Sequence, residues 1–317
     1  MKFRRLSWHA WLGWVLAAPL LAAAAPFAYV PNEGSGTVSV IDTATDKVVA
    51  DIAAGKKPRG TAISADGRTA YVSDQPNNRL VLIDLVGRQM TGSIDLGESP
   101  EGVGISPDGR WVVAAVEESN DVAFVDTRTN RRAFVVKVRG KNPEHAVFSP
   151  DGKIVFVSAE DGGAVDIIDV QKRQQIAQVA VGARPRGIGF SPDGRRAYVA
   201  AENSNEVFVI DAITFGVLKK VSAGLRSNGI AVHPNGKRVF VSNGGDATVS
   251  VIDTATDMVV ATIPVGQRPW NMALTPDGHK LYVACGRSGS VSVIDTGTNT
   301  KVADVPVGKL PWGVAIR

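Results

Sequence analysis

The phrase SVIDTATDKVV around Asp42 returns almost unchanged as SVIDTATDMVV around Asp253. That recurrence belongs to a repeat running through nearly the whole chain. The aligned aspartates are Asp42, Asp84, Asp126, Asp169, Asp211, Asp253 and Asp295, at intervals of 42, 42, 43, 42, 42 and 42 residues. A glycine keeps the same phase: Gly55, Gly97, Gly140, Gly182, Gly224, Gly266 and Gly308. A proline follows three residues later, at Pro58, Pro100, Pro143, Pro185, Pro269 and Pro311, with Ser227 in its place once. Self-similarity at one fixed period restricts a chain to the repeat architectures. Seven units fill the span from about Phe27 to Arg317 and leave no stretch for a second domain.

Each unit holds four short runs rich in Val, Ile, Phe and Tyr. In one of them they are RGIGFS from Arg186, RAYVAA from Arg196, EVFVID from Glu206 and GVLKKVSAG from Gly216. Such runs have strand character. Turn chemistry separates them, as in SPDGR from Ser191, where Pro presets its φ and Gly accepts the left-handed conformation. Beyond the N-terminal segment no convincing helical period occurs. Four antiparallel strands per unit, repeated seven times, predict an all-β, seven-bladed β-propeller of four-stranded blades. A β-helix has shorter units, and a helical repeat would not place Pro-Asp-Gly between its apolar runs. Phase predicts how the ring closes. The first unit starts at FAYV (Phe27 to Val30), which matches a second strand, while LPWGVAIR (Leu310 to Arg317) matches only an innermost one. The C-terminal strand is therefore expected to complete the N-terminal blade and remove an open sheet edge.

The stretches AYVSDQPNNRLVLIDL from Ala70, AYVAAENSNEVFVIDA from Ala197 and LYVACGRSGSVSVIDT from Leu281 resemble the YVTN-repeat β-propeller family. The resemblance covers essentially residues 26–317. In architecture the chain is most similar to a subgroup of exported seven-repeat propellers associated with PQQ-dependent alcohol catabolism and a neighbouring transport system. The resemblance does not imply that the chain binds PQQ. The Trp-rich motif of eight-bladed PQQ dehydrogenases is absent.

Residues 1–25 read as a secretory signal. Lys2, Arg4 and Arg5 precede an apolar run from Ala10 to Ala25, with a small-x-small cleavage site at Ala22 to Ala24. An uncleaved anchor helix is the alternative. Arg4-Arg5 lacks the surrounding pattern of a twin-arginine signal. The expected location is periplasmic or secreted, with no membrane span after cleavage. Net charge is +4, and setting Lys2, Arg4 and Arg5 aside from the 35 basic residues leaves +1 against 31 acidic ones. A near-neutral domain has no global field to hold nucleic acid. Cys285 is the single cysteine, so no intrachain disulfide forms.

Function on a propeller is expected at one end of the central channel, on loops. Positions equivalent by repeat that nevertheless differ are the informative ones. The residue after the marker proline runs Arg59, Glu101, Glu144, Arg186, Asn228, Trp270 and Trp312. The next is glycine in five units, and His145 and Asn271 break that pattern. The residue before the proline adds Lys57, Arg184, Arg226 and Arg268. A cationic, partly aromatic rim follows, with Arg59, His145, Arg186, Arg226, Arg268, Trp270, Asn271 and Trp312 as the candidate binding residues. Arginine suits carboxylate or phosphate through paired donors, and Trp270 and Trp312 suit stacking on a planar group. The competing reading pairs the arginines with Glu101 or Glu144 and uses the aromatics as filler. Glu117, Glu118, Glu160, Asp161, Glu202 and Asp246 read as solvated loop charges spread over separate blades, with calcium binding as the alternative. No histidine or cysteine spacing fits a metal site, no nucleophile–base arrangement is evident, and no cofactor is expected.

Two function classes follow. The favoured one is a monomeric, non-enzymatic binding or accessory protein. It would serve a periplasmic redox or transport protein, or bind a small anionic ligand at the channel mouth. The resemblance implies PQQ-dependent alcohol oxidation as its setting. The alternative is a propeller enzyme using the channel mouth, of lactone hydrolase or cofactor-maturation type.

Overall fold

Short runs of β-branched and aromatic residues, each ended by a tight turn, give seven four-stranded antiparallel sheets arranged as blades around a channel. The computed structural model describes residues 26–317, and the expected leader over 1–25 lies outside them. Blade 4 is representative. Its strands run Pro143–Phe148, Ile154–Ala159, Ala164–Asp169 and Gln174–Ala180 from the channel outward. The second and third strands are buried along both faces, and only alternate residues of the outermost are covered. That pattern is what a sheet sandwiched between two others requires. The single helical turn among the described residues is a 3-10 turn at Gln75–Asn77.

The apolar core lies between the blades and not at the centre. Seven clusters of buried side chains sit one per blade–blade interface. The closing interface joins Ala28, Val30 and Ile41 of blade 1 to Tyr282, Val291, Val293 and Val305 of blade 7. Blade 1 is built from both ends of the chain. Its strands Phe27–Asn32, Thr37–Asp42 and Lys47–Ala53 are joined by Ala315–Ile316 as the innermost. A further bridge pairs Asn32 with Pro311, and the Trp312 amide donates to the Pro31 carbonyl at 2.9 Å. The closure expected from the repeat phase is therefore the one observed.

The face opposite the mouth carries the uniform turns. Ser106 donates to Asp108 at 2.5 Å, Ser149 to Asp151 and Ser191 to Asp193 at 2.6 Å, so each Ser-Pro-Asp-Gly turn is tied by its own aspartate. A second device ties blade to blade. Arg196 donates to the Thr254 carbonyl at 3.1 Å and Arg238 to the Thr296 carbonyl at 2.7 Å, each reaching into the next blade. At the seam Lys280 takes the same role toward Asp46 at 2.7 Å, joined by the Tyr282 hydroxyl.

Removing residues 310–317 strips the innermost strand from blade 1, exposes the edge of Phe27–Asn32 and deletes Trp312. The expected outcome in scanning calorimetry is a Tm at least ~10 °C lower, on a scale where 1 kcal/mol moves a domain of nearly this size by roughly 2–4 °C. An unchanged Tm would contradict closure by this strand.

Candidate functional site

Two positions of the repeat build the channel mouth. The first is the residue before the marker proline. It takes a positive φ in six blades, at Ser99, Asn142, Arg184, Arg226, Arg268 and Leu310. Its carbonyl accepts a bond from the residue that follows the second strand. That bond recurs in every blade, from Glu33, Gln75, Glu117, Glu160, Glu202, Gly244 and Gly286, at 2.9–3.4 Å. The second position is thereby pinned beside the first. In blades 3 to 5 it is Glu. In blades 6 and 7 it is Gly, so no glutamate occupies the position pinned beside Arg226 and Arg268.

The outcome is an ion-pair network: of the two readings of the rim, the one that pairs the arginines with Glu101 and Glu144 is observed, and the mouth is not simply cationic. Arg59 pairs with buried Glu101 and reaches Glu33 at 3.3 Å. Arg186 pairs with Glu144, with Glu160 at 3.1 Å and with Glu202 at 3.1 Å. Arg184 reaches Glu160 at 2.5 Å and Glu202 at 3.3 Å, and Arg268 reaches Glu202 at 3.0 Å. Glu101 and Glu202 are wholly buried. The carboxylate oxygens of Glu117, Glu144 and Glu160 lie within 4.8 Å of one another. These acids converge from two blades, which corrects their reading as scattered solvated charges. Acid predominates across blades 3 and 4, and arginine across blades 5 to 7.

Crowding so many charges out of water shifts their protonation. Burial and the neighbouring Glu144 push Glu101 up to about 8, against the pull of Arg59. Burial and Glu144 likewise push Glu160 up to about 7, against Arg186 and Arg184. Burial acts to raise Glu144 too. There Arg186, His145, Arg59 and a hydrogen bond from Glu160 outweigh it, and Glu144 is held below the usual carboxylate range. Arg186 is held above its ordinary value because Glu144, Glu160 and Glu202 together outweigh its burial. Near neutral pH Glu160 is thus in the middle of its titration, while Glu144, its carboxylate oxygens within 4.8 Å of those of Glu160, is held in the charged form beside the Arg186 guanidinium.

The two glycine-breaking residues lie beneath this network. In the repeat, that glycine brings the innermost strand against the next blade: a Cβ on Gly102 would stand 2.5 Å from the Glu144 carbonyl oxygen, and one on Gly229 2.5 Å from that of Trp270. His145 keeps the repeat's backbone bond, its amide donating to Ser158 as that of Gly229 does to Ser242. Its ring lies against Gly102 and stacks on Trp312, with centroids 5.3 Å apart and planes inclined by 17°. Blade 4 and blade 1 stand three apart in the ring, so this stack crosses the channel. Burial, helped by Arg186, pushes His145 down to about 4, against Glu144 and the Asn271 side chain, and the ring is neutral. Above the stack is a cavity of about 350 Å³ lined by the Arg, Glu and Trp residues of the mouth. Below it is a smaller one of about 130 Å³ lined mainly by Gly, Val and Pro.

Arg59, Arg186, Arg268, Trp270, Asn271 and Trp312 all line the upper cavity. His145 does not. It lines the lower one, which Arg59, Asn271 and Trp312 share. Arg226 is exposed in a shallow neighbouring recess with Glu202, Asn205 and Leu225. Trp270 and Trp312 do not stack together: Trp270 lies against Arg268, 5.7 Å from guanidinium to ring centre, and Trp312 against His145. Glu117, Glu144, Glu160, Arg184, Gln75 and Asn228 join the site. Aligning the residue after each second strand, Glu33, Gln75, Glu117, Glu160 and Glu202 at intervals of 42, 42, 43 and 42, is the signal that finds Gln75, Glu117 and Glu160, while Glu144, Arg184 and Asn228 lie beside the marker prolines. Six buried side-chain polar atoms have no hydrogen-bond partner among the described residues, and five of them belong to Arg59, Glu101, His145 and Arg184. Orphaned polar atoms are rare in folded proteins, and here they gather at the channel.

Residues 170–305 match the family model of the seven-bladed β-propeller lactonases, and residues 26–145 match that of the cytochrome d1 haem domain. The first span carries the arginine-rich side of the mouth, and the second carries Arg59, Glu101, Glu117, Glu144 and His145. No curated protein matches the chain. Among solved structures it is similar to hydrazine synthase of Kuenenia stuttgartiensis, at 23% identity and TM-score 0.77, covering 90% of this chain and 99% of that one. A putative 6-phosphogluconolactonase from Bacteroides uniformis shares 19% identity at TM-score 0.77, covering 93% and 100%. The dihydro-haem d1 dehydrogenase NirN, in complex with DHE, shares 16% at TM-score 0.70, covering 94% and 76%. At these identities the structures attest the fold alone. The chain is a seven-bladed β-propeller with partial sequence similarity to lactonases and to the haem d1 domain.

Glu101 and Glu160 bind protons more tightly folded than unfolded, where glutamate titrates near ~4.3. The folded chain therefore carries more protons between about pH 5 and 8, and stability falls as pH rises through that window. Glu101→Gln removes part of this dependence. The expected outcome is a Tm difference, variant minus wild type, that grows with pH across the window. A difference that stays constant would place the Glu101 pKa in the ordinary range.

Proposed function

We propose that the channel mouth is an active site that hydrolyses a compact, anionic lactone. What supports this reading is the geometry of the Glu144–Glu160 pair: their carboxylate oxygens lie within 4.8 Å of one another, both pair with Arg186, and their surroundings push them apart, Glu160 up to about 7 and Glu144 below the usual carboxylate range. Environments that push two carboxyl groups apart in pKa are how one site supplies a base and an acid at the same pH. A binding or accessory protein has no need of such a pair. For that reason enzymatic action is preferred here over the accessory role in PQQ-dependent alcohol oxidation that the resemblance implies.

The chemistry follows from the groups present. Arg268, on the side of the mouth poor in acid, takes the anionic substituent of the substrate. Glu144 accepts a proton from the attacking water as its oxygen bonds to the lactone carbonyl carbon. Arg184 and Arg186 stabilise the negative charge that develops on the carbonyl oxygen. The ring C–O bond then breaks, and Glu160 donates its proton to the departing alkoxide. The proton on Glu144 returns to Glu160, and the product is an open-chain hydroxy acid. The basic start and apolar run of residues 1–25 support a periplasmic or secreted location for this activity.

The haem d1 similarity motivates a cofactor-maturation reading, and the residues do not fit it. His145 is the only histidine lining the channel among the described residues. Its ring nitrogens are both shielded, and its ring lies flat on Trp312, so no imidazole nitrogen faces the mouth as an axial ligand. No step is assigned to a tetrapyrrole.

Carboxylate- and phosphate-bearing γ- and δ-lactones, followed by acid release, test the proposal. Wild type turns over at least one of them. Glu144→Gln and Glu160→Gln each lower kcat by about 100-fold or more, and Arg268→Ala raises KM by roughly tenfold. With Glu160 near 7, the wild-type kcat declines as pH rises past neutrality. Absence of turnover across the panel, or full activity in both glutamate variants, would overturn the reading.

A further inference from the structure

We infer that the His145–Trp312 stack is the floor of the binding site and sets the length of ligand the mouth accepts. The inference deepens the lactonase reading, on which the anionic character of the ligand rests. The stack spans the channel from blade 4 to blade 1 and separates the upper, charged cavity from the lower, apolar one. It is held from both sides. The Trp312 amide donates to Pro31 at 2.9 Å, and the Trp312 carbonyl accepts from the Asn271 amide at 3.3 Å. Trp312 is 8% exposed, and its backbone is bonded on one side to Phe27–Asn32 of its own blade and on the other to Pro269–Leu274, the innermost strand of blade 7. His145 lies against Gly102 of the adjoining blade.

The floor has a direct consequence for the ligand. An anion held by Arg268 at the rim extends inward along Trp270 and Asn271 and stops at Trp312, which His145 backs from the lower side. The upper cavity, about 350 Å³, is at the small end for ligand sites. Long chains and flat macrocycles meet the stack. Removing the His145 side chain joins the upper cavity to the lower one, whose Val103 and Val314 suit a methylene tail. Glycine is the residue most other blades carry at this position, and its amide can keep the bond to Ser158, so His145→Gly is compatible with the fold.

Titration calorimetry with straight-chain monocarboxylates of increasing length tests the floor without requiring turnover. In wild type, affinity stops rising and then falls by at least tenfold beyond a short chain length. In His145→Gly the rise continues past that length, at up to about fourfold per methylene buried. Trp312→Phe, which keeps an aromatic floor, retains the wild-type cut-off. The same cut-off in wild type and His145→Gly, no cut-off in wild type, or no binding at any length would each overturn the inference. A cut-off that shifts as expected in a protein that hydrolyses no lactone would leave the floor standing and remove the lactonase reading.

Discussion

Everything in this molecule depends on apolar packing between the faces of neighbouring sheets. A single four-stranded blade cannot cover both its faces, so each is stable only between two others. The requirement is met all round only if the row of blades closes. Closure is made by a two-residue strand, one further bridge and the cluster joining Ala28, Val30 and Ile41 to Tyr282 and its neighbours. Lys280, Tyr282 and Asp46 repeat at that seam the polar tie found between other blades. The site inherits this dependence, because the closing segment also supplies Trp312.

Placing the core between the blades leaves the centre of the ring for polar groups. Glu101, Glu144 and Glu202 are buried there, so their charges suffer a desolvation cost that pairing offsets. Six glutamates and four arginines of blades 1 to 5 and 7 meet this condition by sharing partners, Arg186 with three carboxylates and Glu202 with three guanidinium groups. Acids outnumber bases, and protonation of Glu101 and Glu160 relieves the excess. The state that results, neutral acid beside carboxylate beside guanidinium, is an electrostatic solution to crowding. On the proposed hydrolytic reading the same arrangement would serve acyl transfer, because groups held before a substrate arrives need little reorganisation during reaction.

Much of the site was visible as disagreement among equivalent positions. Arg59, Arg186, Arg268, Trp270, Asn271 and Trp312 were found by comparing the residues beside each marker proline, because those residues all start innermost strands and face one axis. Those positions form only one ring of the mouth, and by themselves they predict a cationic rim; the adjacent ring, Glu33 to Gly286, supplies further acids that pair with the arginines. Arg226 shares its repeat position with Arg268 yet points to a shallower recess, a difference that no spacing encodes. His145 was found for the right reason, as a break in a glycine series, but its place is below the mouth and not on it.

The sequence alone determined the number of blades, the strands of each, the turns between them and the way the ring closes. These are properties of a period, and a period is local information repeated seven times. Only the tertiary structure decided which charges neutralise one another, which carboxyl group keeps its proton and which aromatic ring crosses the channel. Those outcomes arise between blades far apart in the chain, where Arg268 meets Glu202 and His145 meets Trp312. Their energies depend on separation and burial, and neither is written in the order of residues along one repeat.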